Sequence, residues 1–225
     1  MSTALDLARI ALARRSPTVD REHLLHPDRY LPDVLGVRLE GPFRGFVRGV
    51  ALSWLHLQQR EAHRLGKDKD DWPQRDDLPD WVIGAPIQNV FALAGGHKLG
   101  KSVVVSALLA WVVHISPRVV GCVYAPKVEQ ASGITWRYFD GFLSGRWGGD
   151  VPRLSALRGA RTGGSTGPAL RFGLDRHVKT QSTDAGVKVQ GSHEAVGIHV
   201  FEEAEGIEDE EVFDAVRSLT SDGVS

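Results

Sequence analysis

With 225 residues, of which 42% are hydrophobic and 24% charged, the chain is long enough to bury a full core and its composition excludes a disordered or fibrous class. Its 27 Lys and Arg nearly balance its 28 Asp and Glu, so overall charge does not drive nucleic-acid binding and any such contact has to come from a local patch. A single cysteine, Cys122, excludes an internal disulfide and a cysteine-only zinc cage, suits a reducing cytosol, and within its apolar run reads as buried filler.

The opening MSTALDLARIALARR has helical spacing but not the unbroken apolar stretch of a signal peptide. No run approaches the about 20 apolar residues of a membrane span, so a soluble, cytoplasmic protein with no membrane partner is expected. Phe43, Phe46, Val47, Val50, Trp54 and Leu57 recur at the spacing of one helix face, and the spacing predicts a helical arm over residues 1–65. The charges and prolines of GKDKDDWPQRDDLPD, Gly66 to Asp80, oppose helix and central strand alike and predict a linker or solvated loop over 66–80.

From Trp81 onwards short apolar runs alternate with helix-length segments, the rhythm of an α/β core with a mostly parallel sheet flanked by helices, here over 81–225. Strands are expected at Val90 to Ala94, Val119 to Tyr124 and Val196 to Phe201, and helices at Lys101 to His114 and Val128 to Leu143. The glycine- and arginine-rich stretch between Ser144 and Gly173 reads as a long exposed loop.

Gly95-Gly96-His97-Lys98-Leu99-Gly100-Lys101-Ser102 fits GxxxxGK[ST] at every fixed position, between an expected strand and an expected helix. Glycines let backbone N–H groups curl around phosphate oxygens without a Cβ in the way, and the helix N-terminus adds its positive end. In an ATP site of this kind Lys101 holds the β- and γ-phosphates and Ser102 ligates Mg2+. Such a site also needs an acid delivered by a second strand and, for hydrolysis, a neighbouring carboxylate to orient or deprotonate water. The run Val196-Gly197-Ile198-His199-Val200-Phe201-Glu202-Glu203 has that form, with Glu202 towards the metal and Glu203 towards the water. The same run also reads as a strand leading into an acidic helix start, since Glu205, Glu208, Asp209, Glu210 and Glu211 follow.

Three blocks together resemble the ATPase domain of tailed-phage large terminase subunits: GGHKLGKSVVVSALLAWVV from Gly95 to Val113, VVGCVYAPKVEQASGITWRYF from Val119 to Phe139, and VKVQGSHEAVGIHVFEEAEGI from Val187 to Ile207. HPDRYLPDVLGVRL, His26 to Leu39, is similar to the arm before that domain. The resemblance implies a P-loop NTPase fold of the RecA-like kind and an ATP- and Mg2+-dependent motor that moves double-stranded DNA into a capsid. It implies as partners a portal protein, a small terminase subunit and further copies in a homo-oligomeric ring, in the cytoplasm of an infected or prophage-carrying bacterial host. Glu202 replaces the family's usual aspartate, and His97 and Lys98 stand where members often carry arginine. Lys98 is therefore either the cation that meets developing phosphate charge or a solvated loop residue. For the adenine-contacting glutamine, the corresponding place reads Gly41-Pro42-Phe43-Arg44, and Gln88 is a substitute. The sequence stops at Ser225, before the family's coupling strand and nuclease domain, so no DNA cleavage is expected of it.

Arg146, Arg153, Arg158, Arg161, Arg171 and Arg176 cluster in the glycine-rich region, either as a phosphate-holding patch, as a source of an arginine acting in trans, or as a solvated loop. Two other readings remain at this point. Glu202-Glu203-Ala204-Glu205 is similar to the acidic box of superfamily-two helicases, and an ATP-binding assembly module with little turnover would also carry the P-loop.

Overall fold

A computed structural model describes residues 21–64, 78–82, 88, 90–94, 99–116, 119–144, 160–164, 167–172, 176–183 and 197–203. Its first elements are the helices α1 (Arg21–Leu25), α2 (Pro27–Leu35) and α3 (Pro42–Arg64). Pro27 opens α2, where its fixed φ suits the first turn, and Gly36 closes it at φ 69°, with its N–H bonded to the Pro32 carbonyl at 3.1 Å. Along α3 the buried positions among the described residues are Val47, Ala51, Leu52, Trp54, Leu55 and Gln58, while Phe43, Phe46, Val50 and Leu57 flank that stripe half-buried. The expected helical face is thus present, rotated slightly so that Ala51, Leu55 and Gln58 join it. The part of the expected arm before residue 21 lies outside the described residues.

The arm is fastened to α4 (Lys101–Ile115), a helix buried almost all round from Val104 to His114. A helix of that kind has to be covered on every side. Tyr30 Oη lies 2.7 Å from His114 Nδ1, and Trp54 Nε1 donates to Ser116 Oγ at 2.8 Å, so the arm packs at the carboxyl end of α4. At the end of the charged stretch Leu78 is buried, Pro79 half-buried and Asp80 exposed. Leu78 and Val82 are buried in the core, Val82 N–H closes a turn on the Pro79 carbonyl, and Trp81 Nε1 donates to His26 Nδ1. Leu78 and Val82 supply the apolar reason for this packing, which the charges beside them hide. Residues 65–77 of the expected linker lie outside the described residues.

Behind α4 stands β1 (Val119–Ala125), buried along its whole length. A continuous segment then runs through α5 (Val128–Ala131), a π turn (Ser132–Trp136) and α6 (Arg137–Leu143), whose Phe139, Phe142 and Leu143 are buried in the same core as α4. The remaining strands are β2 (Ala160–Gly164), β3 (Gly167–Phe172), β4 (Arg176–Ser182) and β5 (Gly197–Phe201). The sheet order is β2-β3-β4-β1-β5; β1 pairs in parallel with β4 and β5, and β2–β3 and β3–β4 are antiparallel. The architecture is therefore α/β with a mixed sheet: parallel at its centre and extended by an antiparallel hairpin. Gly121 lets the layers meet, since a Cβ there would sit 3.0 Å from Val178 Cγ2 and 3.5 Å from Leu109 Cδ1.

Two sequence expectations need correction. The supposed long loop between Ser144 and Gly173 contains β2 and β3, and β4 follows it. Val178 and Thr180 point inwards on β4 while His177, Lys179 and Gln181 are half-exposed, a two-residue alternation that the polar residues mask when the run is read by apolarity. The second correction concerns Val90 to Ala94, which forms no strand. Val90 is 72% exposed, and Phe91 turns to α3, meeting Phe46 edge to face with ring centroids 6.4 Å apart over Gly49. An aromatic anchor on the arm has taken the place of ladder bonds to the sheet. The strand expected before the glycine-rich motif is thus missing, whereas the helix after it is present.

Candidate functional site

Gly100 occupies the left-handed region at φ 82°, ψ 13° and forms the N-cap of α4, so Lys101 and Ser102 are the first two residues of that helix. Glycine reaches this backbone region without the Cβ penalty other residues carry. The first N–H groups of α4 consequently face outwards at its positive end, with the Lys101 ammonium and Ser102 hydroxyl carried beside them. Leu99 is 58% exposed next to this turn. Gly95, Gly96, His97 and Lys98 lie outside the described residues.

The acids arrive from β5. One residue past the strand, Glu202 N–H still bonds the Tyr124 carbonyl at 2.8 Å, which fixes where its side chain leaves the sheet. Its carboxylate then reaches α4: Ser102 Oγ donates to Oε2 at 3.3 Å, and Thr135 Oγ1 donates to Oε1. Burial pushes the Glu202 carboxyl above the usual carboxylate range; the Ser102 hydroxyl and Lys101 oppose the shift, and Glu203 adds to it. Glu203 itself is exposed and adopts φ 50°, a left-handed backbone unusual for a side chain of its size. Gln130 Nε2 donates to Glu203 Oε2 at 2.9 Å, and Gln130 Oε1 accepts the Lys127 N–H at 3.1 Å. Only one orientation of the amide satisfies both contacts.

A hydroxyl joins the two halves from below. Ser106 Oγ lies 2.5 Å from the Ser102 carbonyl and 3.0 Å from the Thr135 carbonyl, so the first turns of α4 and the π turn share one donor. Thr135 is fully buried, and its backbone and side chain therefore hold α4 and β5 at once. No protein-family model, curated protein or solved structure matches this chain. The geometry of the site thus stands alone as a guide to its chemistry.

That geometry brings together Ser102 and Glu202, 100 residues apart in sequence, with Lys101 and Glu203 beside them. Ser102 and Glu202 offer hard oxygen donors of the type a small divalent cation takes while keeping several waters. Among the described residues no group of three or more His, Cys, Asp or Glu side chains forms a protein-only metal cage. Gln88 is tied to the arm through its N–H, which donates to Ser53 Oγ at 3.1 Å, and Gly41 to Arg44 spans the start of α3. Of the arginines, Arg171 is exposed on β3, Arg161 and Arg176 lie within β2 and β4, and Arg146, Arg153 and Arg158 lie outside the described residues, as does the segment 187–196. No helix among the described residues is long and apolar enough to cross a membrane.

Thr135 is the site residue that the sequence did not disclose. It lies in SGITW, a run with no motif, and only the π turn directs its hydroxyl to Glu202. Gln130 lies within the Val119 to Phe139 block, and its contact with Glu203 gives it a local role.

Proposed function

We propose that the chain is a Mg2+-dependent ATPase, with a P-loop NTPase fold completed by the Gly95–Ser102 loop. The observation that carries this reading is the contact between Ser102 and Glu202, which unites a glycine-capped helix start with the acid at the end of a parallel strand. Backbone N–H groups of residues 95–102 and the Lys101 ammonium would bind the triphosphate, and Lys98 would add positive charge beside it. Ser102 and Glu202 fit Mg2+, which when bound would spread positive charge over the β- and γ-phosphate oxygens. Glu203 would orient the attacking water and accept its proton. With the resemblance to large terminase subunits, the work done by hydrolysis is proposed to be translocation of double-stranded DNA into a capsid, on a portal and in a ring of copies. The burial of Glu202 favours a second reading, an ATP-binding module with little turnover, because a carboxyl held towards its neutral form is a poorer metal ligand.

Phosphate release measured with and without double-stranded DNA tests these readings. Lys101→Ala is expected to abolish nucleotide binding, and Glu203→Gln to keep binding while stopping hydrolysis. Stimulation by DNA supports the motor, strand separation would point to a helicase, and binding without turnover to the module. A Lys101→Ala variant with unchanged turnover removes the assignment.

A further inference from the structure

We propose that the segment Lys127–Trp136 is a two-point positioning device for the acids, with Thr135 setting the Glu202 carboxylate and Gln130 setting that of Glu203. The inference rests on the nucleotide reading above and names two positioning residues within it. Neither residue would touch nucleotide; each acts through the acid it holds.

The π turn makes the device work. Residues five apart on an α-helix are offset by about 140° around the axis, so Gln130 and Thr135 on a regular helix could not both face the end of β5. The wider i→i+5 turn over Ser132–Trp136 reduces that offset and brings both side chains to the paired acids. Such turns recur at functional sites, and this one forgoes regular α-helical bonding in the middle of an otherwise continuous helical segment. Thr135 is the buried residue of this turn, and its carbonyl accepts from Ser106 on α4, so the inward side of the turn is held by the core.

The two grips differ in kind. Glu202 accepts two hydroxyl hydrogen bonds, one from α4 and one from the π turn, so removal of the Thr135 hydroxyl frees one carboxylate oxygen while leaving the Ser102 contact. Glu203 is exposed, and among the described residues its side chain is gripped by Gln130 alone. Loss of a group that orients a metal-binding carboxylate costs about 10–100-fold in metal affinity or activity. The same logic gives the Glu203 arm its expected size, since a misplaced catalytic group costs up to about 100-fold in rate.

The experiment uses the whole chain, a fluorescent ATP analogue, a Mg2+ titration and steady-state phosphate release. Thr135→Val, which keeps the shape and removes the hydroxyl, is expected to raise the Mg2+ concentration for half-maximal nucleotide binding by about 10-fold or more, and Thr135→Ser to restore it. Gln130→Ala is expected to leave nucleotide affinity unchanged and to lower kcat by about 10–100-fold. A purely structural role would instead reduce melting temperature without splitting Mg2+ dependence from kcat. As a check free of nucleotide, double-mutant cycles pairing Thr135→Val with Glu202→Met and Gln130→Ala with Glu203→Ala should give non-additive melting temperatures in the free protein. If the native protein binds Mg·ATP and both single variants match it, the inference falls while the nucleotide reading stands. If the native protein binds no nucleotide, both fall.

Discussion

Glu203 offers a direct measure of strain held at the site. At φ 50° an L-residue other than glycine incurs roughly 1–2 kcal/mol from its Cβ. Replacing Glu203 by Ala or by Gly removes the carboxylate and the Gln130 contact in both cases, so the difference between the two variants reports the backbone alone. Glycine escapes the Cβ penalty but leaves a more flexible unfolded chain, which costs about 0.4–1 kcal/mol. The balance favours Glu203→Gly over Glu203→Ala by about 0–1.6 kcal/mol, centred on about 0.8 kcal/mol. For a chain of this size the central value is a melting temperature higher by roughly 2–3 °C. Differential scanning calorimetry of the two nucleotide-free proteins measures it. At most other positions the order is the reverse, with alanine the more stable. A Glu203→Ala variant that melts above Glu203→Gly would therefore refute a strained acid, and with it the idea that the fold gives up stability to aim this carboxylate.

Two further outcomes test the packing of the core away from the site. Tyr30→Phe deletes the buried hydroxyl that meets His114 and should lower stability by about 1–2 kcal/mol, seen as a fall in melting temperature of roughly 2–8 °C; an unchanged melting temperature would mean that the arm is not fastened there. Cys122 is 1% exposed and burial pushes its thiol up to about 11, so an aromatic disulfide reagent should react with it slowly in the native protein and fully in denaturant. Reaction of the native protein at the rate of a free thiol would contradict the buried face of β1.

Much of the core could be read from apolarity. The helix from Lys101 and the strand from Val119 are buried along nearly their whole length, and the strand ending at Phe201, half-buried throughout, is held by its parallel pairing with β1. The hairpin β2–β3 and strand β4 were hidden because their pattern is an alternation of small, polar and basic residues, whose preference for pairing comes from their neighbours and not from themselves. Val90 to Ala94 erred the other way. Apolarity predicted burial in the sheet, yet an apolar run carries no information on which surface it meets, and Phe91 found α3.

The site divides along the same line. Ser102, Glu202 and Glu203 are legible as candidates because the proposed chemistry demands particular residue types at strand and helix ends. What the pair of glutamates cannot disclose is that the two acids live in different surroundings. Glu202 is drawn inwards, raised by burial and held by two hydroxyls; Glu203 stands outside on a left-handed backbone, held by an amide. That contrast arises from the turn of the chain after Phe201 and from a π turn some seventy residues earlier, and neither has a local signature. It also argues against exchanging the roles proposed for the two acids. A metal acid benefits from fixed oxygens close to Ser102, whereas a residue that handles water has to remain accessible, and only Glu203 is exposed.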